Sequence, residues 1–205
     1  MIKGLKICGV SDPETLSYIL NHQHPPKFIG FITNYKKSKR YVTYDNLKNL
    51  INVDKKKTSF VSVLVSPTNE FLEKIKDLNF DYYQLYDVDP LRTFKIKQKY
   101  KIKIISALTI SNEKDVDRYK DYLDISDIIL FDSKGYHKSE SFNHNLLERV
   151  PDEVNKMIAG NIQIDDIPNF KNKNFMIDLS GSIENNEGKK DINKIDRLLK
   201  LFAKT

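Results

Sequence analysis

The sequence has a single cysteine and no long apolar run, and each of these features excludes a class of protein. A single cysteine excludes an intramolecular disulfide and a metal site built on several cysteines. No apolar run approaches the roughly 18 residues that a membrane helix needs. The opening MIKGLKICGV is too short and too mixed for a signal peptide. We therefore expect a cytoplasmic protein with no membrane partner.

The composition is typical of a globular protein. Hydrophobic residues make up 40% of the 205 residues and charged residues 30%, and 11 Phe and 11 Tyr are available for a core. The formal net charge of +6 is spread along the chain and is dense only at Lys36–Arg40 and Asp54–Lys57. Nucleic-acid binding favours basic residues on one face, interleaved with stacking aromatics. No nucleic-acid partner is expected, and the histidine spacing does not indicate a metal site.

Short β-type runs alternate with helical stretches along the chain. The first unit is a strand at Lys3–Cys8 followed by a helix, at whose start Ser11 and Glu14 have the spacing of a capping box. The last unit is a strand at Asn174–Leu179 followed by a helix over Asp191–Phe202. Eight such units predict a parallel sheet with right-handed crossovers. They favour a small, closed (β/α)8 TIM barrel in which the later helices are weak.

An open, doubly wound sheet is the alternative architecture. It is disfavoured because no G-x-G-x-x-G motif opens the first helix, where the chain reads Cys8-Gly9-Val10-Ser11. No linker interrupts the sequence, so we expect one domain over residues 1–205.

In such barrels the chemistry lies where the strands end and the βα loops begin. Cys8 and Asp132 end strands 1 and 6 and form the best acid–base pair. A carboxylate that ends an apolar strand is costly unless it is solvated, paired or functional. A thiolate is a competent base when nearby positive charge lowers its pKa. Lys6, on the same strand face as Cys8, can supply that charge or can pair with Asp178 inside the barrel, and both interpretations stay open.

Two further groups at this end of the strands suit anions. The fork of Arg40 fits a carboxylate, and the alternative is an exposed arginine with no function. The loops after strands 7 and 8 are the usual phosphate cradle of these barrels. Here they offer small residues and backbone donors at Gly160, Asn161, Ser180, Gly181 and Ser182.

The same residues carry a resemblance to the phosphoribosylanthranilate isomerase family. Any one matching segment is weak, but the combination is specific and runs nearly end to end. The segments are KICG at Lys6–Gly9, SKRYV at Ser38–Val42, QLYDVDP at Gln84–Pro90, ILFDSK at Ile129–Lys134, AGNI at Ala159–Ile162 and IDLSGSIENNEGKKD at Ile177–Asp191.

The resemblance implies an Amadori rearrangement in tryptophan biosynthesis. N-(5-phosphoribosyl)anthranilate would become 1-(2-carboxyphenylamino)-1-deoxyribulose 5-phosphate, with no cofactor or metal. Cys8 is implied as the general base at ribose C2, and Asp132 as the general acid at the ring oxygen. Arg40 is implied as the clamp on the anthranilate carboxylate, and the loops at Gly160 and Ser180–Ser182 as the phosphate site. The expected partner is a phosphorylated small molecule, and whether the chain has a protein partner is left open.

The sequence also departs from the family pattern. The family's histidine and glycine after QL are Tyr86 and Asp87 here, and its glycine-rich loop after strand 6 reads GYHKSESF at 135–142. Lys134 or Lys138 is a candidate to replace the missing backbone donors, and simple solvation of both is the alternative. These departures keep a second hypothesis open, in which a non-catalytic or repurposed barrel binds a phosphorylated ligand or a protein partner.

Overall fold

Eight parallel strands close into a barrel in a computed structural model that describes residues 2–133 and 142–204. Each strand pairs with the next along the chain, and β8 closes the sheet by pairing with β1. The predicted (β/α)8 barrel is therefore confirmed, and the open sheet is excluded. The strands are β1 (Gly4–Cys8), β2 (Phe28–Ile32), β3 (Ser59–Val65), β4 (Tyr82–Tyr86), β5 (Lys103–Ile110), β6 (Ile128–Ser133), β7 (Lys156–Ile158) and β8 (Met176–Leu179).

The helices after β6 and β7 are reduced to 3-10 segments, as predicted, whereas the last helix is a regular α-helix of 11 residues. The α-helices are α1 (Pro13–Asn21), α2 (Tyr44–Leu50), α3 (Asn69–Ile75), α4 (Pro90–Tyr100), α5 (Glu113–Asp117) and α6 (Ile192–Phe202). Short 3-10 helices cover Arg118–Tyr122, His144–Arg149, Ile164–Phe170 and Gly181–Ile183. Pro168 lies inside the third of these, where it prevents a regular α-helix. In the described part of the chain, every helix is too short or too polar to cross a bilayer.

The predicted capping box at Ser11 and Glu14 is wrong by one residue. Asp12 is the N-cap of α1, and its carboxylate accepts a hydrogen bond from the Thr15 backbone N–H at 2.8 Å. Pro13 takes the first helical position, and a proline holds the residue before it in the extended conformation that an N-cap needs. The residue before the proline therefore becomes the cap.

Strand alternation decides which side chains reach the barrel interior. Successive residues of a strand point to opposite faces, so Lys6 and Cys8 on β1 share the inward face. Gln84 and Tyr86 share the inward face of β4 in the same way, as their mutual hydrogen bond shows. In each pair the second residue lies two positions nearer the carboxyl end of its strand. Lys6 and Gln84 therefore lie inside the barrel, and Cys8 and Tyr86 lie at its mouth.

Helix α6 completes the helical layer outside the barrel, and Ile195, Leu198 and Leu199 are fully buried on its inner face. Replacing Leu198 with alanine is expected to lower the free energy of unfolding by about 2–5 kcal/mol, because buried methyl groups are lost and a cavity remains. Lys200→Ala on the same helix, where the side chain is 65% exposed, is the control and should change it by less than about 0.5 kcal/mol. Urea unfolding of both variants measures the difference. Equal losses would contradict the packing of α6.

Candidate active site

A cavity of about 360 Å³ opens at the carboxyl ends of the strands. Part of its wall is apolar, formed by Ile32, Val63 and Val65. The structure brings eight of the site residues selected from the sequence to this one cavity. They are Cys8, Arg40, Asp132, Gly160, Asn161, Ser180, Gly181 and Ser182.

A buried ion pair lies beneath the cavity. Lys6 Nζ donates a hydrogen bond to Asp178 Oδ2 at 2.8 Å, and the side chains are 0% and 5% exposed. Burial alone would lower the pKa of Lys6, but the charges of Asp178 and Cys8 outweigh burial and raise it. Lys6 is therefore a permanent cation. The structure shows the pairing of Lys6 with Asp178, and Lys6 also opposes the rise of the Cys8 pKa without reversing it.

Cys8 lies at the end of β1, buried but in contact with the cavity. Burial raises the pKa of the thiol, and the Asp178 carboxylate raises it further. Lys6 acts in the opposite direction by favouring the thiolate, but it does not reverse the shift. The expected cation is thus present, while the expected lowering of the Cys8 pKa is outweighed by desolvation. The resting protein holds Cys8 as a thiol.

Asp132 faces the same cavity from β6. Burial raises its pKa to about 6, against the opposing effect of two hydrogen bonds. The Tyr86 hydroxyl donates to Oδ2 at 2.7 Å, and the Ser133 backbone N–H donates to Oδ1 at 2.8 Å. A carboxyl group that titrates near neutral pH can both donate and recover a proton under working conditions.

Arg40 is neither isolated nor without a partner. Its Nε and Nη2 donate to the two carboxylate oxygens of Glu184 at 2.5 and 2.8 Å. The stem of Arg40 lies against Gly9, where an added Cβ would come within 2.4 Å of Arg40 Cδ and where φ is +77°. A guanidinium has five N–H donors, and Glu184 engages two of them. The edge formed by Nη1 and Nη2 can therefore still bind a second anion.

Glu184 and Lys190 belong to the site but were not selected from the sequence. Lys190 Nζ lies 2.8 Å from Glu184 Oε1 and donates to the Ser180 carbonyl oxygen at 2.9 Å. Lys190 therefore fixes both the carboxylate that holds Arg40 and the start of the loop after β8. The sequence offered one indication of this contact. Because β2 and β8 both pair with β1, the loop after β2 that carries Arg40 can meet the loop after β8 that carries Glu184 and Lys190.

The loops after β7 and β8 form the remaining wall. Gly160 and Asn161 have φ values of +89° and +56°, so the chain turns sharply where β7 ends. The hydroxyls of Ser133 and Ser182 are buried and have no hydrogen-bond partner among the described residues, although buried polar atoms are almost always paired. Two unsatisfied hydroxyls beside this wall suit a ligand rich in acceptor oxygens. Lys134 and Lys138, the candidate cations, lie outside the described residues.

Comparison with known sequences identifies a family for this chain. Residues 5–201 match the family model of N-(5'phosphoribosyl)anthranilate (PRA) isomerase. The N-(5'-phosphoribosyl)anthranilate isomerase of Rhizobium rhizogenes is 31% identical over 99% of this chain and 95% of its own length. The isomerase of Rhizobium johnstonii is also 31% identical, over 100% of this chain and 96% of its own.

Solved isomerase structures share the fold. The crystal structure of the phosphoribosyl anthranilate isomerase from Thermotoga maritima superposes with a TM-score of 0.86 at 23% identity, covering both chains completely. A phosphoribosyl anthranilate isomerase in complex with reduced 1-(o-carboxyphenylamino)-1-deoxyribulose 5-phosphate superposes with a TM-score of 0.83, also at 23% identity and with complete coverage. At this level of identity, the superpositions show the common barrel.

Asp132→Asn is expected to stabilise the protein at pH 8 and not at pH 4. The pKa of about 6 in the folded protein lies above the value of about 3.9 for an unfolded aspartate. The native state therefore loses stability as the pH rises from about 4 through 6, because an ionised carboxylate must stay buried. Asparagine is neutral throughout, so the gain at pH 8 should be about 1–3 kcal/mol.

Thermal unfolding of the wild type and the variant at both pH values measures this difference. Exposed Asp124, replaced with asparagine, is the control and should show no such pH dependence. A gain for Asp132→Asn of equal size at pH 4 and pH 8 would show that the buried charge is not its cause.

Proposed function

This chain belongs to the N-(5'-phosphoribosyl)anthranilate isomerase family, and we propose that its barrel mouth catalyses the Amadori rearrangement of N-(5-phosphoribosyl)anthranilate in tryptophan biosynthesis. One observation carries the proposal. A single cavity holds a buried thiol, a carboxyl group whose pKa is raised to about 6, and an arginine whose Nη1–Nη2 edge has no partner among the described residues. The proposal includes a single barrel domain over residues 1–205 and a cytoplasmic location for the reaction.

The acid and the base act at neighbouring atoms of the sugar. Asp132 gives its proton to the furanose ring oxygen, the bond from C1 to that oxygen breaks, and the anthranilate nitrogen forms a double bond to C1. The Cys8 thiolate then removes the proton from C2, and the electrons of that bond give an enolamine. Tautomerisation of the enolamine places the carbonyl at C2, so the product is an isomer of the substrate. Positions on β6 and β1 allow the two groups to flank the sugar.

The acid and the base share one proton. Catalysis needs Asp132 protonated and Cys8 ionised, whereas the pKa of about 6 at Asp132 and the raised pKa at Cys8 place the resting proton on the thiol. The reactive arrangement is the minor isomer, in which that proton has moved to Asp132. Lys6 favours this isomer because its ammonium group stabilises the thiolate.

Arg40 is the group proposed to bind the anthranilate carboxylate. Glu184 holds one side of the guanidinium and leaves the Nη1–Nη2 edge for a second carboxylate, and a fork of this kind binds a carboxylate in a bidentate manner. The apolar wall supports the same orientation, since the anthranilate ring needs a surface that excludes water.

The loops after β7 and β8 are proposed to bind the phosphate. Ser182 offers a buried hydroxyl without a partner among the described residues, and Ser133 offers another beneath Gly160. Phosphate oxygens accept hydrogen bonds strongly, so they would satisfy both. Asn161, Ser180 and Gly181 complete this wall of the cavity.

Growth rescue tests the proposal. The intact chain should restore growth of a tryptophan auxotroph that lacks this isomerase, and Cys8→Ala should not. A folded intact chain that fails to restore growth and shows no turnover of the substrate in vitro would support the non-catalytic barrel instead.

Cys8→Ala and Asp132→Asn are each expected to lower kcat by about 10²-fold or more, the usual contribution of a positioned base or acid. Ser106→Ala is the control, because it removes a polar atom from β5 whose hydrogen bond to Ser126 lies away from the cavity. Steady-state kinetics of the three purified variants measures the effect. Near-normal turnover of Cys8→Ala would make the thiol a packing residue.

Arg40→Ala is expected to raise KM about 10-fold or more, because a charge-assisted bidentate contact is lost. Arg40→Lys should restore it only in part, since an ammonium lacks the fork. Glu184→Gln should also raise KM by releasing the guanidinium. Arg149→Ala breaks an exposed arginine–glutamate pair and is the control. An unchanged KM in Arg40→Ala would place the carboxylate elsewhere.

The profile of kcat/KM against pH is expected to be a bell. Below about pH 6 both Asp132 and Cys8 hold protons, so no thiolate can act as base. Above the raised pKa of Cys8 neither holds a proton, so no acid is left. Because the phosphate of the substrate also titrates near pH 6, NMR titration of the free enzyme should follow Asp132 separately. Activity that stays constant well below pH 6 would contradict the shared proton.

A further inference from the structure

Two polar side chains inside the barrel have no role in the mechanism above. Tyr86 and Gln84 both lie on the inward face of β4, and Tyr86 contacts the proposed acid. We propose that Tyr86 is a positioning residue for Asp132, and that Gln84 behind it lets the Tyr86 hydroxyl serve both protonation states of that acid. The inference rests on the proposed function, because it assigns how the acid of that reaction is held.

A continuous hydrogen-bonded chain connects β4 to β6. Gln84 Nε2 donates to Tyr86 Oη at 3.2 Å, and Tyr86 Oη donates to Asp132 Oδ2 at 2.7 Å. The chain passes over β5, where Ala107 is the residue in register with Tyr86. The alanine methyl leaves room for the phenol to reach across. With the Ser133 N–H on the other oxygen, the carboxyl plane of Asp132 is fixed at both ends.

The surroundings single out the Tyr86 hydroxyl as the side chain that contacts the acid directly. Among the described residues, the titratable and charged groups that act on Asp132 are Tyr86 on β4, Lys6 on β1 and Asp178 on β8, and Cys8 on β1 acts on Tyr86. Asp178 disfavours the ionised acid and Lys6 favours it, and both act without a hydrogen bond to it. Burial raises the pKa of Tyr86 well above its usual range, so its hydroxyl keeps its proton and stays available as a donor.

Gln84 allows the hydrogen bond between Tyr86 and Asp132 to reverse its direction when the acid gains or loses its proton. Its side chain is completely buried, and Oε1 has no hydrogen-bond partner among the described residues. Turning the amide by about 180° exchanges its two ends, so that Oε1 faces Tyr86 and accepts from the hydroxyl. Tyr86 Oη can then accept the proton of a neutral Asp132. The chain can therefore donate towards an ionised acid or accept from a protonated one without moving a backbone atom.

Tyr86→Phe tests the positioning role. Loss of a donor to the ionised form should raise the Asp132 pKa by about 0.5 to 1 above the wild-type value, measured by carboxyl ¹³C NMR titration of the free enzyme. It should also lower kcat about 10-fold or more with little change in KM, because the acid is no longer aimed. Tyr83→Phe is the matched control, because Tyr83 is a buried tyrosine on the outward face of the same strand and should change neither quantity.

Gln84→Met tests whether Gln84 acts through Tyr86. It should lower kcat in the wild-type background and have no further effect in Tyr86→Phe, since Gln84 reaches Asp132 only by way of the phenol. An Asp132 pKa unchanged in Tyr86→Phe, or equal losses from Gln84→Met in both backgrounds, would overturn the inference. The NMR titration does not depend on turnover, so a wild-type chain without isomerase activity would refute the proposed function and still leave the hydrogen-bonded chain measurable.

Discussion

The ion pair between Lys6 and Asp178 is the interaction on which the rest of the mouth depends. It joins β1 to β8, the two strands whose pairing closes the barrel, and it does so at a register position where the residues are direct partners. Removing one member of such a buried pair leaves an uncompensated charge, at a cost of about 3–5 kcal/mol. The pair therefore fixes the closure of the sheet and at the same time places a permanent cation beneath Cys8.

The barrel, and the meeting of most candidate site residues at its mouth, could be predicted from the sequence, because strand ends are visible as breaks in apolar runs. Asp132 and Gly160 each follow such a run directly, Cys8 ends β1 just before Gly9, and parallel strands bring those ends to one rim. The N-cap of α1 was missed by one residue, because the conformational effect of Pro13 outweighs the side-chain spacing of the capping box. Local patterns identify an element more reliably than they identify its terminal residue.

Contacts between loops could not be predicted in the same way. The bidentate pairing of Arg40 with Glu184 joins residues 144 positions apart, and nothing in either local sequence indicates the partner. The raised pKa of Cys8 is a second example. The sequence shows Lys6 as one possible source of positive charge for a thiolate, but the extent of desolvation depends on the packed barrel. Ion pairs between distant residues and pKa shifts caused by burial can therefore be derived only from the three-dimensional structure.

Desolvation and charge then act together across the cavity. The same burial that raises the pKa of Cys8 also raises that of Asp132, so each group favours its neutral form and only one proton is shared near neutral pH. Moving that proton from the thiol to the carboxyl creates a thiolate next to Lys6 and removes a buried carboxylate near Asp178. At Cys8 the attraction of Lys6 for the thiolate exceeds the repulsion from Asp178. At Asp132 the repulsion from Asp178 exceeds the attraction of Lys6 for the carboxylate. The ion pair beneath the mouth therefore lowers, on balance, the cost of the proposed reactive state at both sites.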